Sequence, residues 1–313
     1  MNKATKIRVN YAIGSVITIL LLAAIYYQVK AQLRDFDVAS LYSGGANVYL
    51  VSAFVLMFAN LGLEIYKWKL LAGSAQPVSF GAATKSFLAG LALSILTPNR
   101  IGEYPGRILY MKQRNTPRLI SVTFLGMFTQ FLCLFLFGIL GLTYYNVVAP
   151  GYWQKISLLI PIVCLTCVSF IFFNFEKWSR IIERFSFMRK FNTYSRLLKR
   201  FTLKEQLVIL GLSMLRFCVY TFQYLLLLSW MHIEMPLLTG FCLACLFFFS
   251  MAVVPSIALA EMGIRGQISL LLFQNFSTNK IGILVATLVL WFINLIIPAL
   301  AGSILWIKMR LIK

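Results

Sequence analysis

The sequence is poor in acidic residues and has a single histidine, and these shortages narrow the functions open to it. Of its 313 residues, nine are Asp or Glu, and only His232 is a histidine. Metal centres and proton-transfer sites rely mostly on these side chains. A histidine-based metal or catalytic site is therefore largely excluded, and we expect neither a metal nor a cofactor. Charged residues make up only 12% of the chain, about half the share usual in soluble domains.

Apolar residues are abundant instead. They form 60% of the sequence, and the mean hydropathy is +0.83. This composition indicates an all-α, polytopic integral membrane protein. The net charge of +20 does not indicate nucleic-acid binding, because the basic residues occur in short segments between apolar runs, as membrane topology requires.

Eight hydrophobic segments divide the chain, which we interpret as a single transmembrane domain over residues 1–313. Six of them reach about 20 residues, the length that spans a bilayer: Val9–Val29, Ala46–Tyr66, Ile120–Tyr145, Ile156–Phe173, Leu207–Trp230 and Ile281–Trp306. The other two, Phe80–Leu96 and Leu237–Val254, lead directly into stretches broken by proline and glycine. We predict about six full spans and two shorter elements.

The two broken stretches share a charge pattern. The first, Thr97–Arg107, contains four helix breakers and three charges: Pro98, Gly102, Pro105, Gly106, Arg100, Glu103 and Arg107. The second, Pro255–Gly266, again has a carboxylate four residues before an arginine, as Glu261 and Arg265. Charged, non-helical backbone is tolerated in a membrane only where protein buries it or where it lines a polar cavity. We therefore predict two re-entrant, broken-helix hairpins.

The basic residues favour this topology. With both hairpins re-entrant, 20 of the 29 Lys and Arg residues lie in cytoplasmic segments, four lie outside, and five lie in or near the membrane. This asymmetry agrees with the positive-inside rule and places both termini in the cytoplasm. Residues 1–148 and 149–313 then form two halves of an inverted-topology repeat, with a midplane site where they meet. The alternative is that the two breaks are coincidental helix kinks.

The segment 174–205 carries nine basic residues, and its apolar residues recur at helical spacing. It is predicted to be a cytoplasmic, basic amphipathic linker between the two halves. Such a segment either lies on an anionic leaflet or serves only as a topology anchor.

With the two motifs side by side, the chain resembles the lysylphosphatidylglycerol synthase transmembrane region, also called the flippase-like domain family. The resemblance covers essentially the whole chain through Pro98–Arg107 and Pro255–Gly266. The first motif holds one residue more than the usual Gly-acidic-x-x-Arg of the family. In the second, Glu261 lies upstream of Arg265, where the family often has a glutamate after Gly-x-Arg. Larger members continue into an aminoacyl-transferase domain, and we expect this chain to be a stand-alone form without it.

The motifs favour a lipid translocase, or flippase, that binds an anionic phosphate headgroup at a midplane site. Arg107 and Arg265, supported by Arg100, would bind phosphate oxygens through their planar guanidinium groups. Glu103 and Glu261 would neutralise these arginines in the empty site or carry a proton. Arg216, near the middle of a span, is a further candidate. It would line the pathway or pair with one of these two glutamates.

Other polar residues in the apolar segments have simpler interpretations. Glu64 and Lys85 lie near predicted helix ends, so we expect their side chains to extend to the membrane surface. Four uncharged side chains are expected to hydrogen-bond between helices: Asn60, Gln130, Gln223 and Asn294.

Two other functional classes stay open. A membrane-embedded enzyme acting on a lipid-linked substrate could use the two motif glutamates as acid and base, but the spans contain no histidine. A non-transporting scaffold would recruit partners through the segment 174–205. We favour a translocase that is not an enzyme. Its expected partner is an anionic phospholipid or a polyprenyl-phosphate-type lipid, and its expected location is the bacterial cytoplasmic membrane.

Overall fold

The computed structural model describes residues 3–33, 47–97, 100–111, 116–148, 152–173, 201–254 and 261–307. Within these ranges all regular secondary structure is helical, which confirms the all-α prediction. The helices are α1 (Lys3–Leu33), α2 (Val48–Gly73), α3 (Phe80–Ser94), α4 (Glu103–Leu109), α5 (Thr116–Val148), α6 (Tyr152–Phe173), α7 (Leu203–Trp230), α8 (Leu237–Val253), α9 (Glu261–Phe273), α10 (Lys280–Trp291) and α11 (Ile297–Ile307). A π-helical turn, Phe292–Ile296, joins α10 to α11.

Four helical segments are long and apolar enough to cross a membrane: Val48–Gly73, Thr116–Val147, Leu203–Trp230 and Lys280–Ile307. They coincide with four of the six predicted spans. The other two predicted spans fall within α1 and α6, whose described apolar parts are the shorter stretches Ala12–Tyr27 and Pro161–Phe170. The number of spans therefore stays a prediction beyond these four.

Polar caps fix where several helices begin. Asn47 accepts hydrogen bonds from the first backbone N–H groups of α2, and Ser79 does the same for α3. Thr202 and Glu205 form a capping box at the start of α7, and Asn279 caps α10. Since the first N–H groups of a helix have no intrahelical acceptor, these side chains stabilise the starts of α2, α3, α7 and α10.

The faces of α2 are reversed relative to a helix of a water-soluble protein. Val51, Val55 and Phe58 are exposed on its outer surface, whereas Asn60 and Glu64 are buried inside. A surface of this kind suits contact with lipid chains outside and polar contacts inside the bundle. The buried face of α2 therefore presents polar side chains to the inside of the bundle.

The first motif forms a tight helical hairpin. α3 has 15 residues and is about 22 Å long at 1.5 Å per residue, short of the roughly 30 Å of a hydrocarbon core. After a turn, α4 folds back against α3. A Cβ on Gly106 would lie 2.7 Å from the Cα of Gly90, so only glycine permits this approach. Ser86 completes the contact by donating a hydrogen bond to the carbonyl of Arg107.

The helices pack in a reciprocal pattern. α2 packs on α7, the corresponding helix of the other predicted half. α3 packs on α11, and α5 packs on α8, so each predicted hairpin contacts the last helix of the opposite half. α1 contacts α11, and α5 contacts α6. The two hairpin pairs, α3 with α4 and α8 with α9, also pack internally.

Candidate functional site

The polar centre of the structure is Glu64, on the inner face of α2. Asn60, Glu64 and Lys67 follow each other at helical spacing and point to one side of the helix, where all three are buried. The Glu64 carboxylate lies against three cations from three helices. Oε1 accepts from both Nη1 and Nη2 of Arg107 at 3.1 Å, and Oε2 contacts Lys67 Nζ at 2.8 Å and Arg216 Nη1 at 3.0 Å. We call Glu64, Lys67, Glu103, Arg107 and Arg216 the ion-pair cluster.

Arg107 is the most enclosed arginine of this cluster, with 4% of its surface exposed. Its position follows from α4, which places Glu103 one turn before Arg107, so that Glu103 Oε1 accepts from Arg107 Nη2. The guanidinium also lies over two rings, 4.6 Å from the centroid of Phe87 and 5.4 Å from that of Trp68. Its Nε has no hydrogen-bond partner among the described residues. Aromatic faces and two carboxylates together compensate for burying this charge.

Arg216 lies near the middle of α7 and has a more open environment, with 29% of its side chain exposed. Its Nε donates to Asn60 Oδ1 at 3.0 Å, and its Nη1 donates to Glu64 and to Gln130 Oε1, the latter at 3.2 Å. The sequence suggested Glu103 or Glu261 as the partner of Arg216. The observed carboxylate partner, Glu64, is a correction that arises because α2 and α7 pack directly on each other.

Lys67 completes the cluster from one turn beyond Glu64. Besides its ion pair, Nζ donates to Ser213 Oγ at 3.2 Å and lies 3.5 Å from Gln130 Oε1. Ser213 in turn donates to the Thr129 hydroxyl, so the lysine is tied to both α5 and α7. Lys67 is one of the 20 basic residues that the sequence analysis assigned to cytoplasmic segments, but it is buried inside the bundle.

A chain of side-chain amides extends from the cluster. Asn60 Nδ2 donates to Asn294 Oδ1 at 2.8 Å, and Asn294 Nδ2 donates to Gln223 Oε1 at 3.0 Å. Gln223 Nε2 ends the chain on the carbonyl of Ala53 at 2.8 Å. Together with Gln130, these contacts confirm the prediction that the four uncharged side chains hydrogen-bond between helices. Asn294 also sits in the π-helical turn and donates to the Leu290 carbonyl.

A cavity of about 170 Å³ opens beside the cluster. Its polar wall comprises Asn60, Glu64, Arg100, Glu103, Gln130, Arg216, Tyr220 and Asn294, and its apolar wall includes Phe87, Phe217 and Phe248. Lining residues come from both 1–148 and 149–313. Arg100 reaches the wall from the loop before α4, where its backbone has φ of +58°, a conformation that few residues other than glycine adopt.

The six predicted site residues are thus separated by the structure into two groups. Arg100, Glu103 and Arg216 line the cavity, and Arg107 lies behind the wall in contact with Glu64 and Glu103. Arg265 is buried in α9 and is not among the cavity-lining residues. Glu261 begins α9, but its side chain and residues 255–260 of the second motif lie outside the described part.

Glu64 and Lys67 are the residues that sequence reasoning missed. The expectation that Glu64 extends to the membrane surface is wrong, because 5% of the residue is exposed and three cations surround it. Lys85 does lie exposed near the start of α3. The sequence did contain a pattern that indicates burial of these two residues, because Asn60, Glu64 and Lys67 recur on one face of a largely apolar helix.

The electrostatics of the site favour an anion. Among the described residues of the ion-pair cluster and the cavity wall, the four cations Lys67, Arg100, Arg107 and Arg216 accompany the two carboxylates Glu64 and Glu103, so these six groups carry a formal charge of +2. In the part of the chain that the structure describes, no group of three or more His, Cys, Asp or Glu side chains is placed to hold a metal ion. Guanidinium groups at a partly desolvated wall are suited to bind phosphate or carboxylate oxygens.

Comparison with known proteins agrees with the helical architecture. No curated protein matches the chain. A family model described as the lysylphosphatidylglycerol synthase TM region matches residues 11–302, a range that contains both motifs, the ion-pair cluster and every cavity-lining residue. The chain is therefore an integral membrane protein that belongs to the lysylphosphatidylglycerol synthase TM-region family.

Proposed function

We propose that this protein is a lipid translocase that moves an anionic phosphate headgroup across the bacterial cytoplasmic membrane and is not an enzyme. The substrate would be an anionic phospholipid or a polyprenyl-phosphate-type lipid. The observation that carries the proposal is the cavity, in which Arg100 and Arg216 line the wall close to the buried cations Lys67 and Arg107. A phosphate headgroup is costly to move through hydrocarbon unaided. A polar, cationic cavity inside the bundle lowers this cost by replacing lost water contacts with fixed donors.

The arrangement of Glu64 supports a binding role for Arg216. Glu64 and Asn60 hold Nη1 and Nε of Arg216, so the guanidinium is oriented before any ligand arrives. Such preorganisation reduces the entropy that binding must overcome. Arg107, in contrast, is paired with two carboxylates and enclosed by rings, so its role is to hold Glu64 and Glu103 in place. We therefore expect Arg216 and Arg100, which line the cavity, to contact the substrate more directly than Arg107 does.

An inverted-topology repeat of residues 1–148 and 149–313, with α3–α4 and α8–α9 as re-entrant hairpins, is part of this proposal. It is supported by the reciprocal packing of the helices. If the two halves are exchanged, the contact between α3 and α11 becomes the contact between α8 and α5, and both contacts are present. The lengths of α3 and α8, 15 and 17 residues, support hairpins that enter the membrane without crossing it. Transporters built in this way place substrate between the repeats near mid-membrane. The lining of this cavity by both halves agrees with that placement.

The proposed topology has both termini and the linker 174–205 in the cytoplasm. Removing buried Lys67 from the earlier count leaves 19 basic residues in cytoplasmic segments against four outside. The asymmetry is still strong enough to orient the chain by the positive-inside rule.

The enzyme alternative finds less support. A catalytic acid or base must be free to exchange a proton with substrate. Both oxygens of Glu64 are occupied by cations, and Glu103 is paired with Arg107. Within the described residues, no Ser, Cys or Lys nucleophile at the cavity lies beside a carboxylate left over for proton transfer.

The test is reconstitution into liposomes that carry a fluorescent, short-chain anionic phospholipid, with an impermeant quencher added outside. We expect wild-type protein to make the inner-leaflet lipid accessible and Arg216→Gln to slow this at least tenfold. Lys204→Gln is the matched control, because Lys204 lies exposed at the start of the same helix. Mass spectrometry of the recovered lipid addresses the enzyme alternative. Movement equal to that in empty liposomes, or a covalently altered lipid made only by the wild type, would contradict the proposal.

A further inference from the structure

The span Lys280–Ile307 is interrupted near its middle by the π-helical turn Phe292–Ile296. At the end of this turn the N–H of Ile297 donates to the carbonyl of Phe292, five residues earlier instead of four. Pro298 accounts for the break, because it has no N–H to donate and its ring crowds the carbonyl four residues before it. Prolines and π-turns are common causes of sharp helix kinks. The span therefore consists of two regular helices, α10 and α11, that are joined by an irregular turn.

The second of these helices, α11, is held by helices of the first half. It packs on α1 and α3, and a Cβ on Gly302 would overlap a carbonyl oxygen of α3, so the two backbones are in direct contact. Trp306 Nε1 donates to the carbonyl of Ala89 in α3 at 3.1 Å, and Thr18 of α1 donates to the carbonyl of Ser303 at 3.0 Å. Sliding α11 along α3 would break these bonds and disturb a close-packed contact.

The first of the two helices, α10, is held by its own half. It packs on α7 and α9. The hydroxyl groups of Thr287 in α10 and Tyr224 in α7 lie 2.8 Å apart, and both residues are buried. Asn279, which caps α10, also donates to the carbonyl of Met231 at the end of α7 at 3.1 Å. The two helices of one span are thus tied to different halves of the chain.

Movement of one half against the other therefore acts on this span. When the halves rock, either α11 separates from α3 or the span bends between α10 and α11. Bending changes few contacts, since a hinge needs only a few residues that absorb the change in backbone angles. α11 has 11 residues and is about 16 Å long at 1.5 Å per residue. A bend of about 20° at its start would displace its far end by about 5 Å.

The π-helical turn is also connected to the cavity. Asn294 lies in the turn and at the cavity wall, and its Nδ2 donates both to Gln223 Oε1 and to the carbonyl of Leu290. Its Oδ1 accepts from Asn60, and Asn60 Oδ1 accepts from Arg216 Nε. One side chain therefore separates the turn from the arginine that the proposed function places at the substrate. A change in the turn would alter how Arg216 is held.

We infer that the π-helical turn and Pro298 form a hinge at which the span Lys280–Ile307 bends when the halves move, so that α11 moves together with α1 and α3. Asn294 couples this bending to the orientation of Arg216. The inference rests on the proposed function for the movement itself. It adds that the boundary between the moving parts passes through this span, although chain order places all of the span in the second half.

Spin-label distances in a cysteine-free background test the bending directly. Leu271→Cys in α9 paired with Ile304→Cys in α11 reports on α11 relative to the second half. Leu271→Cys paired with Ile281→Cys in α10 is the matched control within that half, and all three positions are exposed. In liposomes we expect two distances, several ångströms apart, for the first pair and one distance for the control pair. Pro298→Ala restores the missing N–H, so it should leave one distance for the first pair.

The liposome assay with the fluorescent, short-chain anionic phospholipid relates the hinge to transport. Pro298→Ala should slow lipid movement about tenfold. Its melting temperature should stay at or above that of the wild type, because a proline inside a helix is destabilising. Pro161→Ala is the matched control, since Pro161 also lies inside a helix, α6, which stays α-helical across it. The control should change neither the rate nor the distances.

The outcomes separate the hinge from the transport function. Two distances that Pro298→Ala reduces to one, without movement of lipid, would overturn the transport function and support the hinge. One distance in the wild type with lipid movement, or a wild-type rate in Pro298→Ala, would overturn the inference and leave transport standing. A rate that falls together with the melting temperature would assign Pro298 a structural role and also overturn the inference. One distance without lipid movement would overturn both.

Discussion

Replacing Glu64 by Gln tests whether the cluster is held together as its geometry suggests. The substitution keeps the shape of the side chain and removes the charge that three cations share. Arg107 retains Glu103, but Lys67 and Arg216 lose the only carboxylate with which each pairs among the described residues. Removing one partner of a buried ion pair costs about 3–5 kcal/mol. We therefore expect Glu64→Gln to lower the free energy of unfolding by at least about 3 kcal/mol.

Thermal unfolding in detergent measures this loss. At roughly 2–4 °C per kcal/mol for a chain of a few hundred residues, the melting temperature should fall by roughly 6–12 °C. The six tryptophans provide the fluorescence signal, and Trp68 lies against Arg107 in the cluster. Glu234→Gln is the matched control, because Glu234 is exposed in the loop before α8.

A second substitution separates charge imbalance from lost packing. Lys67→Met removes one of the unpaired cations and preserves an unbranched side chain of similar length. In the Glu64→Gln background it should recover part of the lost melting temperature, although alone it should destabilise. The double-mutant cycle isolates the coupling between the two sites. A melting temperature for Glu64→Gln within 2 °C of wild type would refute the reasoning, as would strictly additive effects of the two changes.

Three other predictions address the motif arginine, the topology and the hairpin. Arg107→Lys keeps a cation but loses the contact in which both Nη1 and Nη2 donate to Glu64, so lipid movement should fall partially. Arg107→Ala should abolish lipid movement, and equal, near-normal rates in the two variants would contradict this role. In a cysteine-free background, Thr278→Cys should react with an impermeant thiol reagent added outside, whereas Thr116→Cys should react only after the membrane is opened. External labelling at Thr116 would contradict the hairpin topology. Gly106→Ala should force α4 away from α3 and destabilise by about 1–3 kcal/mol, measured by thermal unfolding against Gly62→Ala, which has open space around the added methyl.

The local part of the site could be predicted from the sequence. Glu103 and Arg107 are four residues apart, so any helix through the first motif brings them together, and α4 does so. The proline and glycine residues likewise indicated a break after α3, where the chain turns before α4 begins. Both inferences depend only on the geometry of a single helix.

The shared carboxylate could not be predicted in the same way. Glu64 is separated by 43 residues from Arg107 and by 152 residues from Arg216. Their meeting depends on how α2 packs against α7 and on how the hairpin folds back, which helical periodicity does not determine. A glutamate near a predicted helix end was therefore assigned to the membrane surface. The helix in fact continues to Gly73, which places Glu64 well inside α2.

The residues of the ion-pair cluster belong to both proposed halves, so movement of one half against the other would break some of its contacts and keep others. Lys67 and Arg107 belong to the same half as Glu64, so their ion pairs persist if the halves rock as rigid units. Arg216 belongs to the other half, and its three hydrogen-bond partners, Asn60, Glu64 and Gln130, all lie across the boundary. Movement of one half against the other would break these contacts and leave the half-buried guanidinium of Arg216 without its carboxylate. A phosphate headgroup bound at Arg216 would replace that carboxylate, so the energetic cost of the movement should be lower with substrate than without it.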